Sequence, residues 1–311
     1  MFNIKNYLEE IDCPNCSLNS YKIIKRSNYS EVTKLEDILK IYRSSGDDFL
    51  FDQMVKCKNC EFQYLNPRIN SKIIFDSYKL NSDETHVGQD KNRIKTFKKS
   101  IKKIINNLKI DKLHLYKFLD IGSASGAFLK TIKDLGFLEE GYEPNKWMVE
   151  YGKKNYNVNI KQGSIENVND TNKYDFISFW DVLEHVTNLN ETLTKVQKIS
   201  KKNTILIINV PNVDSVACKL TGLKWPFYLN VHLYYFSNSS IKKILKKYNF
   251  ELVKSFPHFQ YLELGYLCSR AKKYLSFFSI LETIFSIFGM TNLPIIYNLG
   301  QTTFVFKKIN D

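Results

Sequence analysis

Between residues 116 and 211 the sequence alternates short β-branched or aromatic runs with amphipathic helical stretches, and this alternation limits the fold more than any other feature. Runs at 117–121, 138–143, 158–161, 174–180 and 204–210 predict strands, and stretches at 126–135, 146–155 and 189–199 predict the helices between them. Strands joined through helices return in the same direction. The expected fold class is therefore α/β, a Rossmann-like, doubly wound, mostly parallel sheet. Ligands of such sheets bind beyond the carboxyl ends of the strands, where strand order reverses.

A different signal governs the N-terminal part. Cys13-Pro-Asn-Cys16 and Cys57-Lys-Asn-Cys60 are two short knuckles, each able to aim two thiols at one ion. Four thiolates satisfy tetrahedral Zn²⁺ at about 2.3 Å per bond and leave no position open, so a structural zinc on Cys13, Cys16, Cys57 and Cys60 is expected. A redox dithiol would instead need one such motif opening a helix in a βαβ unit, which is missing here. Strand-like pieces at 21–25 and 49–55 and a helix near 35–42 bring the chain back to the first knuckle. We expect a zinc-ribbon-like module over 1–80. A linker and a basic amphipathic helix follow over 81–115, with Ile94, Phe97, Ile101, Ile104, Ile105 and Leu108 on one face.

The catalytic part is expected over 116–311. Its first motif, Leu119-Asp120-Ile121-Gly122-Ser123-Ala124-Ser125-Gly126, runs a strand into a turn of small residues and a helix. Small residues let a ligand approach the backbone, and the helix start offers unpaired N–H groups. In Gly141-Tyr142-Glu143-Pro144, Glu143 ends the next strand, where a carboxylate can accept both hydroxyls of a ribose. A dinucleotide site would want a glycine where Ala124 stands, so that fingerprint fails.

With Tyr174-Asp-Phe-Ile177 and Asp181-Val-Leu-Glu-His-Val186, these motifs resemble the successive motifs of class I S-adenosylmethionine (SAM)-dependent methyltransferases. The likeness is greatest to the methyltransferase type 11 and 23 group, which includes the ubiquinone-biosynthesis O-methyltransferases. The paired cysteines followed by Leu65-Asn-Pro67 resemble zinc-ribbon members of that group. Two residues depart from its pattern: Ala124 replaces the middle glycine of the loop, and Glu61 a glycine common after the fourth cysteine. The resemblance implies an antiparallel last strand pair, at 251–255 and 302–307. It also implies that Asp120, Gly122, Ser123 and Gly126 hold the methionine end of SAM. Glu143 would take the ribose, Ser164 and Ile165 would border the adenine, and Trp180 would complete the site.

Methyl transfer is an in-line displacement, so the enzyme's task is alignment, with a base for a hydroxyl acceptor. His185 and His232 are the candidate bases. Asp181, Glu184 and His185 lie at i, i+3 and i+4, and a helical turn would put them on one face around Mg²⁺ or another divalent ion. In the ubiquinone O-methyltransferases a similar acidic-x-x-Glu-His stretch is associated with metal use. Within an apolar insertion at about 265–298, residues 274–290 predict a helix with a narrow serine-rich face. Core or homodimer packing, a lid over the acceptor, and peripheral membrane contact all remain open for it.

The formal charge of +13 comes from lysines spread along the chain rather than from one basic block. Nucleic acid is therefore disfavoured as a partner, although a nucleic-acid methyltransferase docking through its zinc ribbon stays as the alternative. The first ten residues lack the apolar core of a signal peptide, and no stretch reaches the ~18–20 apolar residues of a spanning helix. We expect a cytoplasmic enzyme, or one peripheral to the inner face of the membrane. It would transfer a methyl group to a small-molecule acceptor such as a hydroxyl of a sugar, lipid or secondary-metabolite intermediate.

Overall fold

Successive side chains of a strand point to opposite faces, and here both faces are apolar. In the computed structural model, residues 3–30, 32, 34–42, 50–78, 84–272 and 277–310 are described. The N-terminal part comprises strands β1 (Leu8–Glu9), β2 (Tyr21–Lys25), β3 (Met54–Cys57), β4 (Gln63–Leu65) and β5 (Arg68–Ile69). Its helices are α1 (Leu35–Ile41), α2 (Ser71–Tyr78) and α3 (Glu84–Val87), and α4 (Asp90–Leu108) follows. Next come β6 (Lys117–Ile121), α5 (Ala127–Asp134), β7 (Leu138–Glu143), α6 (Lys146–Tyr156), β8 (Ile160–Gln162), β9 (Tyr174–Trp180), α7 (Leu189–Ile199) and β10 (Ser200–Pro211). The C-terminal part holds α8 (Val216–Thr221), β11 (Tyr234–Tyr235), α9 (Asn238–Lys246), β12 (Phe250–Pro257) and β13 (Gln260–Glu263). It ends with α10 (Leu264–Ala271), α11 (Phe277–Ile287), β14 (Pro294–Tyr297) and β15 (Gln301–Lys308).

The main sheet has seven strands in the order β12-β15-β10-β9-β6-β7-β8. The run from β10 to β8 is parallel, while β15 lies antiparallel between β10 and β12. This is the doubly wound sheet that the alternation predicts, with the antiparallel last strand that the resemblance implies. Strand order reverses between β6 and β9, so the loops leaving these two neighbours part to opposite sides and open a crevice. Phe118, Phe176, Ile205 and Ile207 face one core with Ile101, Ile104 and Ile105 of α4. Leu119, Ile177, Leu206 and Ile208 face the other, which α7 and α9 cover. Phe118 and Phe176 stack at 5.2 Å, and Phe128 and Phe137 meet Phe118 edge-on at 5.4 and 5.2 Å.

The second core continues into the N-terminal part, where Met54, Tyr64 and Leu65 join the same cluster as Tyr234 and Phe236. A four-stranded sheet, β11-β4-β3-β2, takes its edge strand from far along the chain, with Tyr234 paired to Tyr64 and Tyr235 to Gln63. The strand expected at 49–55 starts only at Met54, because the backbone before it is otherwise engaged. Asn230 Oδ1 accepts from the amides of Phe51 and Asp52, and the Tyr228 carbonyl accepts from Leu50. The helix expected at 274–290 is observed as α11; residues 274–276 of that expectation lie outside the described residues. Of the linker and amphipathic helix expected over 81–115, residues 81–83 lie outside the described residues, and α3 leads through a two-residue turn into α4.

Candidate active site

The turn after β6 is shaped by backbone that few side chains tolerate. Gly122 has φ +70° and Gly126 φ +81°. A Cβ on Gly122 would lie 2.5 Å from Val182 Cγ2, so only glycine fits between the two diverging loops. Ala124, in place of the usual glycine, adopts φ +45°, and Glu61 in the fourth-cysteine knuckle adopts φ +64°. Both departures from the family pattern thus keep the left-handed backbone a glycine would supply. Ser178 Oγ donates to Asp120 Oδ1 at 2.6 Å and Ser123 Oγ to the Asp120 carbonyl at 2.9 Å. Glu143 accepts from the amides of Ala124 and Asn145, both at 2.9 Å. Burial raises both carboxyls to about 7.

A cavity of about 520 Å³ opens over this turn, within the usual size of a small-molecule site. Asp120, Gly122, Ser123 and Trp180 line it, as do Asp181, Glu184, His185 and His232. Glu143 sits behind the turn and not in the wall, since its oxygens point to backbone amides. Gly126 caps α5 below the wall. Ser164 caps a short turn and bonds Glu166, and Ile165 packs in the core; neither borders the cavity.

The opposite wall differs from the sequence expectation. No helical turn gathers Asp181, Glu184 and His185: Asp181 adopts φ +55°, and only a turn follows it. Its carboxylate accepts from Asn209 Nδ2 at 2.7 Å and Gln301 Nε2 at 2.8 Å. Burial still raises it to about 6. The side chains that do converge are Glu184, His185 and His232, whose ligand atoms all lie within 4.8 Å of one another. The two imidazoles meet edge-on at 4.7 Å. His185 Nδ1 donates to the Val231 carbonyl at 2.8 Å and His232 Nδ1 to the Phe227 carbonyl at 2.7 Å. A carbonyl can only accept, so in the neutral form of each ring the proton sits on Nδ1 and Nε2 is the basic nitrogen. Burial lowers His185 to about 4, and burial with the neighbouring His185 holds His232 well below the usual histidine range. Glu184 is 1% exposed, and neither carboxyl oxygen has a hydrogen-bond partner. Burial and the nearby Asp181 raise it well above the usual carboxylate range.

Two further residues escape a reading of the apolar stripe in α4. Asp90, at its first turn, accepts from Ser125 Oγ at 2.9 Å and Tyr156 hydroxyl at 2.8 Å, tying the helix to the loop. Arg93, one turn on, lines the cavity, and its Nε is buried without a partner. The signal is an Asp-x-x-Arg pair off the apolar face, at the helix end nearest the loop.

Away from the cavity, the four cysteines of the two knuckles converge. Cys13 and Cys60 sulfurs lie 3.5 Å apart, as do those of Cys16 and Cys57, and all four fall within 4.8 Å. A tetrahedral ion with bonds of about 2.3 Å spaces its sulfurs about 3.8 Å apart, so this set suits Zn²⁺.

Comparison with known proteins adds to this geometry. A methyltransferase domain family model matches residues 88–255. The ubiquinone biosynthesis O-methyltransferase of Pelagibacter ubique (strain HTCC1062) is 30% identical over 175 residues, covering 52% of this chain and 73% of that protein. A SAM-dependent methyltransferase from Archaeoglobus fulgidus aligns with TM-score 0.48 at 18% identity, over 73% of this chain and 100% of the other. Magnesium protoporphyrin IX methyltransferase from Synechocystis PCC 6803 aligns with TM-score 0.46 at 11% identity, over 74% and 89%. Superpositions this loose carry no argument about activity; the domain match and the sequence relative do.

Two outcomes are expected. In calorimetry, S-adenosylhomocysteine binds the parent chain, Gly122→Val abolishes binding because its side chain overlaps Val182, and Glu143→Ala weakens it about tenfold or more. Parental affinity in both variants would move the site elsewhere. Elemental analysis of reduced protein should find one zinc per chain, lost in Cys57→Ser. In that variant hydrogen exchange should speed up at Leu65 and Tyr234 and stay slow in β6 and β9. Metal-free parent protein with the same protection would refute the zinc assignment.

Proposed function

This chain belongs to the SAM-dependent methyltransferases that carry this methyltransferase domain, and on that premise we propose that it methylates a hydroxyl of a small-molecule acceptor. A sugar, lipid or secondary-metabolite intermediate is the acceptor class. The observation that carries the reading is one cavity walled by the Gly122 turn on one side and by two imidazoles, each held through Nδ1 by a backbone carbonyl, on the other. SAM supplies a methyl group on a sulfonium: the S–C bond breaks as the O–C bond forms, and S-adenosylhomocysteine leaves.

The residues around that reaction have separable tasks. Asp120, Ser123 and the Gly122 turn bind the donor, and Glu143 holds the ribose once its carboxylate turns from the backbone amides. Trp180 packs edge-on against Phe97 at 5.3 Å and forms an apolar wall. A wall of that kind excludes water from the displacement. His185 Nε2 takes the hydroxyl proton, while Nδ1, held by the Val231 carbonyl, keeps the ring in the accepting tautomer.

A second reading rests on the unpartnered oxygens of Glu184. Glu184, His185 and His232 would hold a divalent cation that polarises the acceptor oxygen. Two imidazoles and one carboxylate suit a first-row transition metal better than Mg²⁺, which prefers an all-oxygen shell. Asp181, engaged with Asn209 and Gln301, drops out of the ligand set.

With labelled SAM and a screen of hydroxylated acceptors, His185→Ala should lower turnover about 10²–10⁴-fold at unchanged S-adenosylhomocysteine affinity. Equal turnover removes the base from the mechanism. For the metal reading, paramagnetic resonance of zinc-loaded protein titrated with Mn²⁺ should show one bound ion per chain, lost in both Glu184→Gln and His232→Ala. Bound manganese unaffected by either substitution, or none in the parent, rules that reading out.

A further inference from the structure

Helix α11 has no buried side chain. Phe278, Leu281 and Phe285, spaced i, i+3 and i+7, are half-buried, and Phe278 reaches the cavity wall. A second apolar stripe, Phe277, Ile280, Ile284, Ile287 and Phe288, faces outward. Ile287 is 75% exposed and Phe288 72%. Strand β14 adds exposed Ile295 and Ile296. Isolated apolar side chains on a surface need no account, but this many on one insertion mark a contact.

The nature of that contact follows from what stands beside it. On α8 and the turn after it, Val216, Leu220 and Leu223 are exposed, Leu220 to 80%, and Lys219 and Lys224 are exposed beside them. Trp225 Nε1 donates to the Leu299 carbonyl at 2.7 Å, which sets this segment beside the loop that follows β14. Phe227, Phe278 and Leu299, which line the cavity, come from the segments that carry or adjoin these tips. The apolar tips come from separate elements, α8, α11 and β14. Lys219 and Lys224 stand beside the tips of α8 and the turn after it. That combination suits an anionic lipid surface, in which apolar tips enter the acyl boundary and lysines meet phosphates. No helix among the described residues is long and apolar enough to cross a membrane, so the contact would be interfacial.

We propose that α11, β14 and α8 form a docking surface for anionic phospholipid, with the cavity opening beside the lipid plane. The inference concerns where the chain sits and is read by vesicle flotation, so it stands or falls apart from the methyltransferase reading. The full chain is floated with vesicles of phosphatidylcholine alone and of phosphatidylcholine with phosphatidylglycerol, two to one. The parent should float with the mixed vesicles. Ile287→Ser/Phe288→Ser should cut the bound fraction about tenfold or more, and Lys219→Glu/Lys224→Glu should erase the preference for the mixed vesicles. Both should keep parental sedimentation and S-adenosylhomocysteine affinity. Should the apolar pair fail to fold, Leu220→Ser carries the same test on the other element. A parent that stays soluble overturns the proposal, as does flotation unchanged in the variants. So does a parental dimer that the apolar substitutions split without any vesicle binding, which would assign the surface to a second copy.

Discussion

Leu233 donates its amide to the Glu184 carbonyl at 2.8 Å, and its own carbonyl accepts from the Leu65 amide at 3.0 Å. One residue thereby joins the loop after β9 to the edge of the cysteine-bearing sheet. Its neighbours extend the junction: β11 after it pairs with β4, and His232 stands immediately before Leu233. Arg68, almost fully buried, donates to the Thr187 carbonyl at 2.7 Å, the Tyr234 hydroxyl at 3.1 Å and Glu9 at 2.9 Å. The position of His232 therefore depends on a sheet whose far strands are fixed by the two cysteine knuckles. An ion there, distant from the cavity, would support the chemistry by holding β4 in register.

The donor side is held by a separate set of contacts. Gly122 lets the β6 turn pass close to Val182, so the two diverging loops approach without a side chain between them. Asp90 then fastens α4 to Ser125 and Tyr156, placing Arg93 at the cavity. The cavity's walls thus come from the turn after β6, the loop after β9, the segment before β11, the start of α4 and the stretch between β13 and β15. The start of α4 precedes the sheet in the chain and the segments around β11 and β13–β15 follow its parallel strands, and together they enclose a crevice that an open sheet alone would leave shallow.

Most of the sheet is legible in the sequence because its strands are apolar on both faces and separated by helices of clear periodicity. The Gly122 turn and Cys13, Cys16, Cys57 and Cys60 are legible for a related reason: local spacing alone limits what they can do. What escapes is set at long range. Strand β11 is two residues long and exists because β4 offers an edge. Asp181 looks like a partner of Glu184 by spacing, yet Asn209 and Gln301 claim its carboxylate from later in the chain. His232 takes the vacated place beside Glu184 and His185 through the β11 junction, which no local pattern announces. The small hairpin of β13 and β14 is likewise invisible, because α10 and α11 interrupt it.

The central claim is that the Gly122 turn and the His185 wall belong to one methyl-transfer site. A crystal structure of the full chain grown with S-adenosylhomocysteine tests it most directly. The account predicts the nucleoside along the turn of residues 122–126, the ribose at Glu143, and the sulfur facing the space before Trp180 and His185. Nucleoside density elsewhere on the protein, or a sulfur turned away from His185 and His232, would contradict it.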